Sequence, residues 1–100
     1  MALHITEYES VGFDIYNRSI PAPLEPPITD QAMSITGSST QSSTLNTLTR
    51  ICRLHTTANC YIQVGTNPTA SSSTRRMVAD STEYIAIPPN VSLKIAVMTA

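Results

Sequence analysis

Strict alternation of apolar and polar positions dominates the second half of the chain. Val91-Ser92-Leu93-Lys94-Ile95-Ala96-Val97-Met98 sorts into Val91, Leu93, Ile95 and Val97 on one side and Ser92, Lys94, Ala96 and Met98 on the other. A period of two marks a strand with one buried face, so this segment is predicted to be one. Glu83-Tyr84-Ile85-Ala86-Ile87 repeats the pattern, with Glu83, Ile85 and Ile87 opposed to Tyr84 and Ala86. Pro88-Pro89-Asn90 ends that strand, because proline cannot donate to a ladder. Leu48 to Leu54 and Cys60 to Val64 are also rich in β-branched and alternating residues that suit a pleated surface.

Those last two segments predict a hairpin. A three-residue loop Thr57-Ala58-Asn59, with Asn59 left-handed, pairs Thr56 with Cys60, Leu54 with Ile62 and Cys52 with Val64. Cys52, Leu54, Ile62 and Val64 then share a buried face. Ile51, Arg53, His55, Tyr61 and Gln63 occupy the other, a mixed surface suited to contact. A slip of one residue would exchange the two faces.

The first 30 residues read differently. Leu3-His4-Ile5 and Phe13-Asp14-Ile15-Tyr16 are short strand candidates, with Gly12 as a turn or bulge. Ile20 to Ile28 then holds Pro21, Pro23, Pro26 and Pro27, four of the chain's seven prolines. Proline fixes φ and removes a donor, so this stretch is expected to run as an extended, polyproline-like arm over a surface. The chain thus divides into an extended segment, 1–30, and a β-sandwich domain, 31–100. Gln31 to Thr36 fits an edge strand leading into Thr36-Gly37-Ser38-Ser39-Thr40-Gln41-Ser42-Ser43-Thr44, a polar run expected to be an exposed loop. The fold class is all-β, a compact sandwich or jelly-roll-like domain with a Pro-rich amino-terminal arm.

Composition narrows the function. One hundred residues fit one domain, and no apolar run approaches the ~20 residues that cross a bilayer, so no membrane partner is expected. A net charge of −1 lacks the basic excess that phosphate neutralisation needs, and 5% aromatics gives little for base stacking, which argues against nucleic acid. The amino end lacks the basic and apolar regions of a secretory signal, so cytoplasmic synthesis is expected. Under that expectation Asn17-Arg18-Ser19 and Asn90-Val91-Ser92 match the glycosylation sequon by chance. Ser and Thr abound while Lys94 is the only lysine, which describes a hydroxyl-covered surface.

Candidate chemistry is sparse. In the hairpin register Cys52 and Cys60 sit about 13 Å apart at ~3.3 Å per residue, beyond the roughly 4.4–6.8 Å Cα separation of a disulfide. They are expected to be reduced core residues, and their spacing lacks the paired knuckle of a zinc site. His4 and His55 have no second ligand in their own segments, so a metal site would need partners from elsewhere. The acidic residues are scattered rather than paired for acid–base work. No enzymatic role, cofactor or metal is therefore expected. Arg75-Arg76 is the only basic pair, in an expected loop, either a solvated tip or an interface anchor, since arginine is enriched at interfaces. Pro21, Pro23, Pro26, Pro27, Arg53, His55, Tyr61, Arg75 and Arg76 are the candidate interface residues.

From Thr49-Arg50-Ile51 through Cys60-Tyr61-Ile62-Gln63-Val64-Gly65-Thr66-Asn67-Pro68-Thr69-Ala70 to Glu83-Tyr84-Ile85 and Lys94-Ile95-Ala96-Val97, the chain resembles small virion proteins of tailed bacteriophages. The resemblance covers roughly the last half and consists of a strand, a glycine-threonine-x-proline-type turn, a Ser/Thr loop and two closing strands. It implies a homo-oligomer on the capsid exterior that decorates or cements the shell against the major capsid protein. The alternative it implies is a tail-fibre or head–tail binding module, with Tyr61 and Tyr84 as sugar platforms.

Overall fold

Leu3, Ile5, Leu54, Ile62, Ile95 and Val97 are fully or almost fully buried at alternate positions of their segments, and each segment is a strand. The computed structural model describes residues 1–100 and contains ten strands. They are β1 (Ala2–Tyr8), β2 (Val11–Phe13), β3 (Ser19–Pro23), β4 (Thr29–Ser34), β5 (Thr40–Gln41), β6 (Ile51–Thr56), β7 (Cys60–Gly65), β8 (Arg75–Met77), β9 (Thr82–Ala86) and β10 (Lys94–Thr99). One sheet has the order β4-β1-β6-β9, a second has the order β5-β10-β7-β8, and β2 and β3 form a two-stranded ribbon. Every pairing is antiparallel. The inward residues of both sheets meet in one apolar cluster that includes Leu3, Leu54, Ile62 and Ile95, which makes the body a sandwich.

The expected Leu48–Val64 hairpin is corrected. β6 pairs with β1 and β9, whereas β7 pairs with β10 and β8, so Thr57–Asn59 carries the chain from one sheet to the other. Cys52, Leu54 and Ile62 are buried, and Val64 packs against the cluster. A two-residue period states which face a side chain joins, and both a hairpin and an arch satisfy it. Asn59 is not left-handed either; the non-glycine residues with positive φ are Asn17, Asp80 and Asn90, at 61°, 60° and 63°. Asn59 instead accepts the Ala79 N–H through Oδ1 at 2.8 Å, tying the arch to the approach to β9.

The boundary at residue 30 is also corrected, because β1 lies inside the first sheet between β4 and β6 and supplies Leu3 and Ile5 to the core. Nor is the Pro-rich stretch wholly polyproline-like. Ser19–Pro23 pairs with β2, and the register shift between Val11 and Phe13 places an irregularity at Gly12. Asp14-Ile15-Tyr16, read as strand, forms the ribbon's tip. Beyond β3 the Leu24 N–H donates to the Ser10 carbonyl at 2.8 Å, and the Ile28 N–H donates to that of Glu7 at 2.7 Å.

The polar run is not a bare loop. Thr40–Gln41 pairs with β10, and buried Ser42 exchanges bonds with Ile95: its Oγ accepts the Ile95 N–H at 2.9 Å and its own N–H reaches the Ile95 carbonyl at 2.8 Å. Gln41 Nε2 donates to Asn67 Oδ1 and to the Pro68 carbonyl, both at 2.9 Å, so this run holds the turn after β7. The last strand begins at Lys94 rather than Val91, and Ala96, expected outside, is buried where Gln41 and Gln63 flank it from neighbouring strands. Arg75-Arg76 is β8 rather than a loop.

Candidate functional site

The outer face of the first sheet is built by residues that alternate with the core. His4, Thr6 and Tyr8 point outward from β1, and the register sets His55, Arg53 and Ile51 of β6 opposite them. β4 adds Ala32 beside His4 and Asp30 beside Thr6, and β9 adds Thr82 beside His55 and Tyr84 beside Arg53. The face therefore has a histidine row and an arginine row.

The ribbon overhangs one end of this face. Tyr8 is on the outward side yet only 6% exposed, because the chain leaving β3 lies on it and its hydroxyl donates to Glu25 Oε1 at 2.9 Å. Burial, followed by the hydrogen bond and negative charge of Glu25, pushes the Tyr8 phenol above its usual range. An apolar cleft of about 380 Å³ remains between ribbon and sheet, lined by Val11, Pro21, Ala22, Pro23, Ile51 and Tyr84. A second, polar depression of about 450 Å³ lies among His4, Thr6, Asp30, Gln31, Arg53 and His55.

The ribbon's tip is held from within. Asp14 Oδ1 accepts the N–H groups of Tyr16 at 2.8 Å and Arg18 at 3.0 Å, while Oδ2 accepts Arg18 Nε at 2.7 Å. These bonds hold the Asp14 carboxyl below its ordinary value, the Arg18 backbone bond having the largest effect. The Arg18 guanidinium also lies 5.3 Å from the centre of the Tyr16 ring. The result is a fixed turn that presents Ile15, 90% exposed, and Tyr16, 72% exposed, with Phe13 behind them at 53%. Large apolar side chains held in water on an ordered turn are suited to a partner's surface.

The sequence-predicted interface residues fall into separate groups. Pro21 and Pro23 line the cleft, and Arg53 and His55 lie on the same outer face. Pro26 is exposed, Pro27 is half-buried, and the Glu25–Pro26 bond is cis. Tyr61 and Arg76 are cross-strand partners on the outer face of the second sheet, on the opposite side of the sandwich. Arg75 reaches inward across the sandwich edge to Glu83 Oε1 at 3.6 Å. No single patch can contain all nine.

Sequence reasoning missed the tip residues Ile15 and Tyr16, and it treated His4 and His55 as isolated. An aspartate followed by Asn17 and Arg18 is a turn signal that could have located the tip. Nothing within either strand could have paired the histidines, because β1–β6 pairing spans half the chain.

Neither thiol is poised as a nucleophile. Cys52 and Cys60 are free and buried. Burial, reinforced by the nearby Glu7 carboxylate, pushes the Cys52 thiol up to about 12. Burial raises Cys60 as well, opposed by its hydrogen bond with Thr56. A reactive cysteine needs the reverse shift. No group of three or more His, Cys, Asp or Glu side chains converges in the chain. Comparison with known protein families, with curated proteins and with solved structures finds no match for this chain.

Proposed function

We propose that this chain is a virion structural protein that decorates or cements a tailed-phage capsid, docking on the major capsid protein as a homo-oligomer. The observation that carries this reading is the ribbon tip, where Ile15 and Tyr16 are held in solvent by an ordered turn. Little ordering entropy remains to be lost when such a turn docks. The resemblance of the last half to small virion proteins supplies the kind of partner. A hydroxyl-rich surface with one lysine also suits close coverage by neighbouring subunits, since lysine is depleted at interfaces.

The test is to quantify the chain in purified virions and locate it in their density, beside particles made without it. The reading expects many ordered copies on the capsid exterior and lower thermal stability of particles lacking them. Absence from virions would end it. A second reading, a tail-fibre or head–tail binding module, is favoured by Tyr84, 57% exposed at the mouth of the apolar cleft. Localisation to the tail, with glycan binding lost in Tyr84→Ala, would select that reading.

A further inference from the structure

Two imidazoles meet in the interior of the first sheet. His4 on β1 and His55 on β6 are direct cross-strand partners, with ring centroids 6.4 Å apart and planes inclined by 37°. β4 flanks β1 and β9 flanks β6, so both backbones are held on both sides and the pair does not sit at a fraying edge. The rings stand at the polar depression shared with Thr6, Asp30 and Arg53.

We propose that His4 and His55 form a binding site for a divalent late transition-metal ion of the zinc, nickel or copper class. Imidazole nitrogen suits these ions, whereas calcium and magnesium prefer oxygen. With metal–nitrogen bonds of about 2.0–2.1 Å, two imidazoles at adjacent positions of one ion place their centroids roughly 4.5–5.2 Å apart, so the pair must close by about 1–2 Å. Rotation about the side-chain torsions of surface residues supplies that movement without moving the sheet.

An independent contact supports the assignment. His55 Nδ1 lies 2.8 Å from Thr82 Oγ1, its cross-strand neighbour on β9. When Nδ1–H donates to that hydroxyl, the lone pair sits on Nε2. This matches the outer-sphere bond by which proteins fix the tautomer and direction of a metal-binding histidine. The remaining coordination positions open to solvent and take water. Asp30 favours a cation in the depression and Arg53, which makes no ion pair, opposes it, so the imidazoles rather than net charge set the affinity. This assignment does not depend on the virion reading, since it rests only on the pair's own geometry.

The experiment is a calorimetric and NMR titration of the folded full chain with zinc and nickel chloride, with calcium and magnesium as controls. The expected result is one zinc or nickel ion per chain, shifts centred on the His4 and His55 rings, and no response to the controls. Affinity should fall at least about tenfold in each of His4→Ala and His55→Ala, and severalfold in Thr82→Val. His4→Gln and His55→Gln provide polar replacements should an alanine variant unfold. No binding of either ion, or binding that survives loss of both histidines, overturns the proposal. Unchanged affinity in Thr82→Val removes the positioning role of Thr82.

Discussion

Glu7 is a carboxylate inside an apolar core, 1% exposed on the inward side of β1. Its Oε1 accepts the Asn46 N–H at 2.7 Å and the hydroxyl of fully buried Thr49 at 2.8 Å, which pins the segment entering β6 against β1. Glu7→Ala strands both donors and should cost about 1–3 kcal/mol for each one left unmet, read from denaturant melts. Glu7→Gln keeps an accepting oxygen and should cost less. The cysteines are a second case in which neighbours decide. Either Cys→Ala change should cost about 1–2 kcal/mol through lost burial, with no dependence on reductant. Cys60→Ser should be tolerated better than Cys52→Ser, because Thr56 Oγ1 lies 3.6 Å from Cys60 Sγ and offers the new hydroxyl a partner. The raised Cys52 thiol also makes stability depend on pH. Its stabilising contribution is complete below the unfolded value of 9.0 and is lost as pH rises towards the folded value of about 12. Melts across that range should therefore decline more steeply for the natural chain than for Cys52→Ala; equal slopes would contradict the burial assigned to this thiol.

At the scale of elements, the ribbon is the part most separable from the rest. β2 and β3 pair only with each other, and the tip depends on the Asp14 carboxylate. The carboxyl is held below its ordinary 3.8, so the order it provides is present above that value and lost as pH falls through the lower folded one. Hydrogen exchange should show the tip amides of Tyr16 and Arg18, which donate to that carboxylate, losing protection in acid before those of β1 and β6. Asp14→Ala should give the same selective loss at neutral pH while the core melt barely moves. An unprotected tip in the natural chain at neutral pH would remove the ordered turn on which docking is argued. The ribbon also illustrates what was legible in the sequence. Gly12 and the prolines announced an irregular, extended segment, but its pairing with β2 depends on a tip that was read as strand. β6 and β7 show the same division. Alternation placed Cys52, Leu54 and Ile62 correctly on the inside, because burial is a property of each residue's own side of the pleat. Their strand partners came from β1, β9, β10 and β8, which no local pattern names. His4 and His55 became neighbours only through that long-range pairing.

The whole molecule measures 48 × 28 × 21 Å, and its radius of gyration of 13.9 Å slightly exceeds the roughly 13 Å of a compact chain this long, as expected for a body carrying a projection. Both sheets need strands from distant parts of the chain, such as β1 with β6 and β5 with β10. Folding should accordingly be slow, in the millisecond-to-second range by stopped flow, since loops must close before these contacts form. The same assembly separates two candidate docking regions. Ile15 and Tyr16 present an apolar contact at the ribbon tip, while Arg76 stands exposed on the outer face of the second sheet beside Tyr61, without a carboxylate partner. A cementing protein that bridges subunits would engage both, through different physics. On the proposed capsid reading, Arg76→Ala should weaken retention on virions at low salt and matter little at high salt, where exposed charges are screened. Ile15→Ser with Tyr16→Ser should weaken retention at every salt concentration, because apolar burial is not screened. Arg75→Ala belongs to a different class, since its bond to Glu83 joins the two sheets at their edge and, half-exposed, contributes at most about 1 kcal/mol to the fold. The measurement is retention of each variant across a salt series, beside its melt in isolation. A ribbon effect without an Arg76 effect would reduce the proposed bridge to docking through the ribbon, and retention unchanged in all variants would overturn the proposal that either region docks on a capsid.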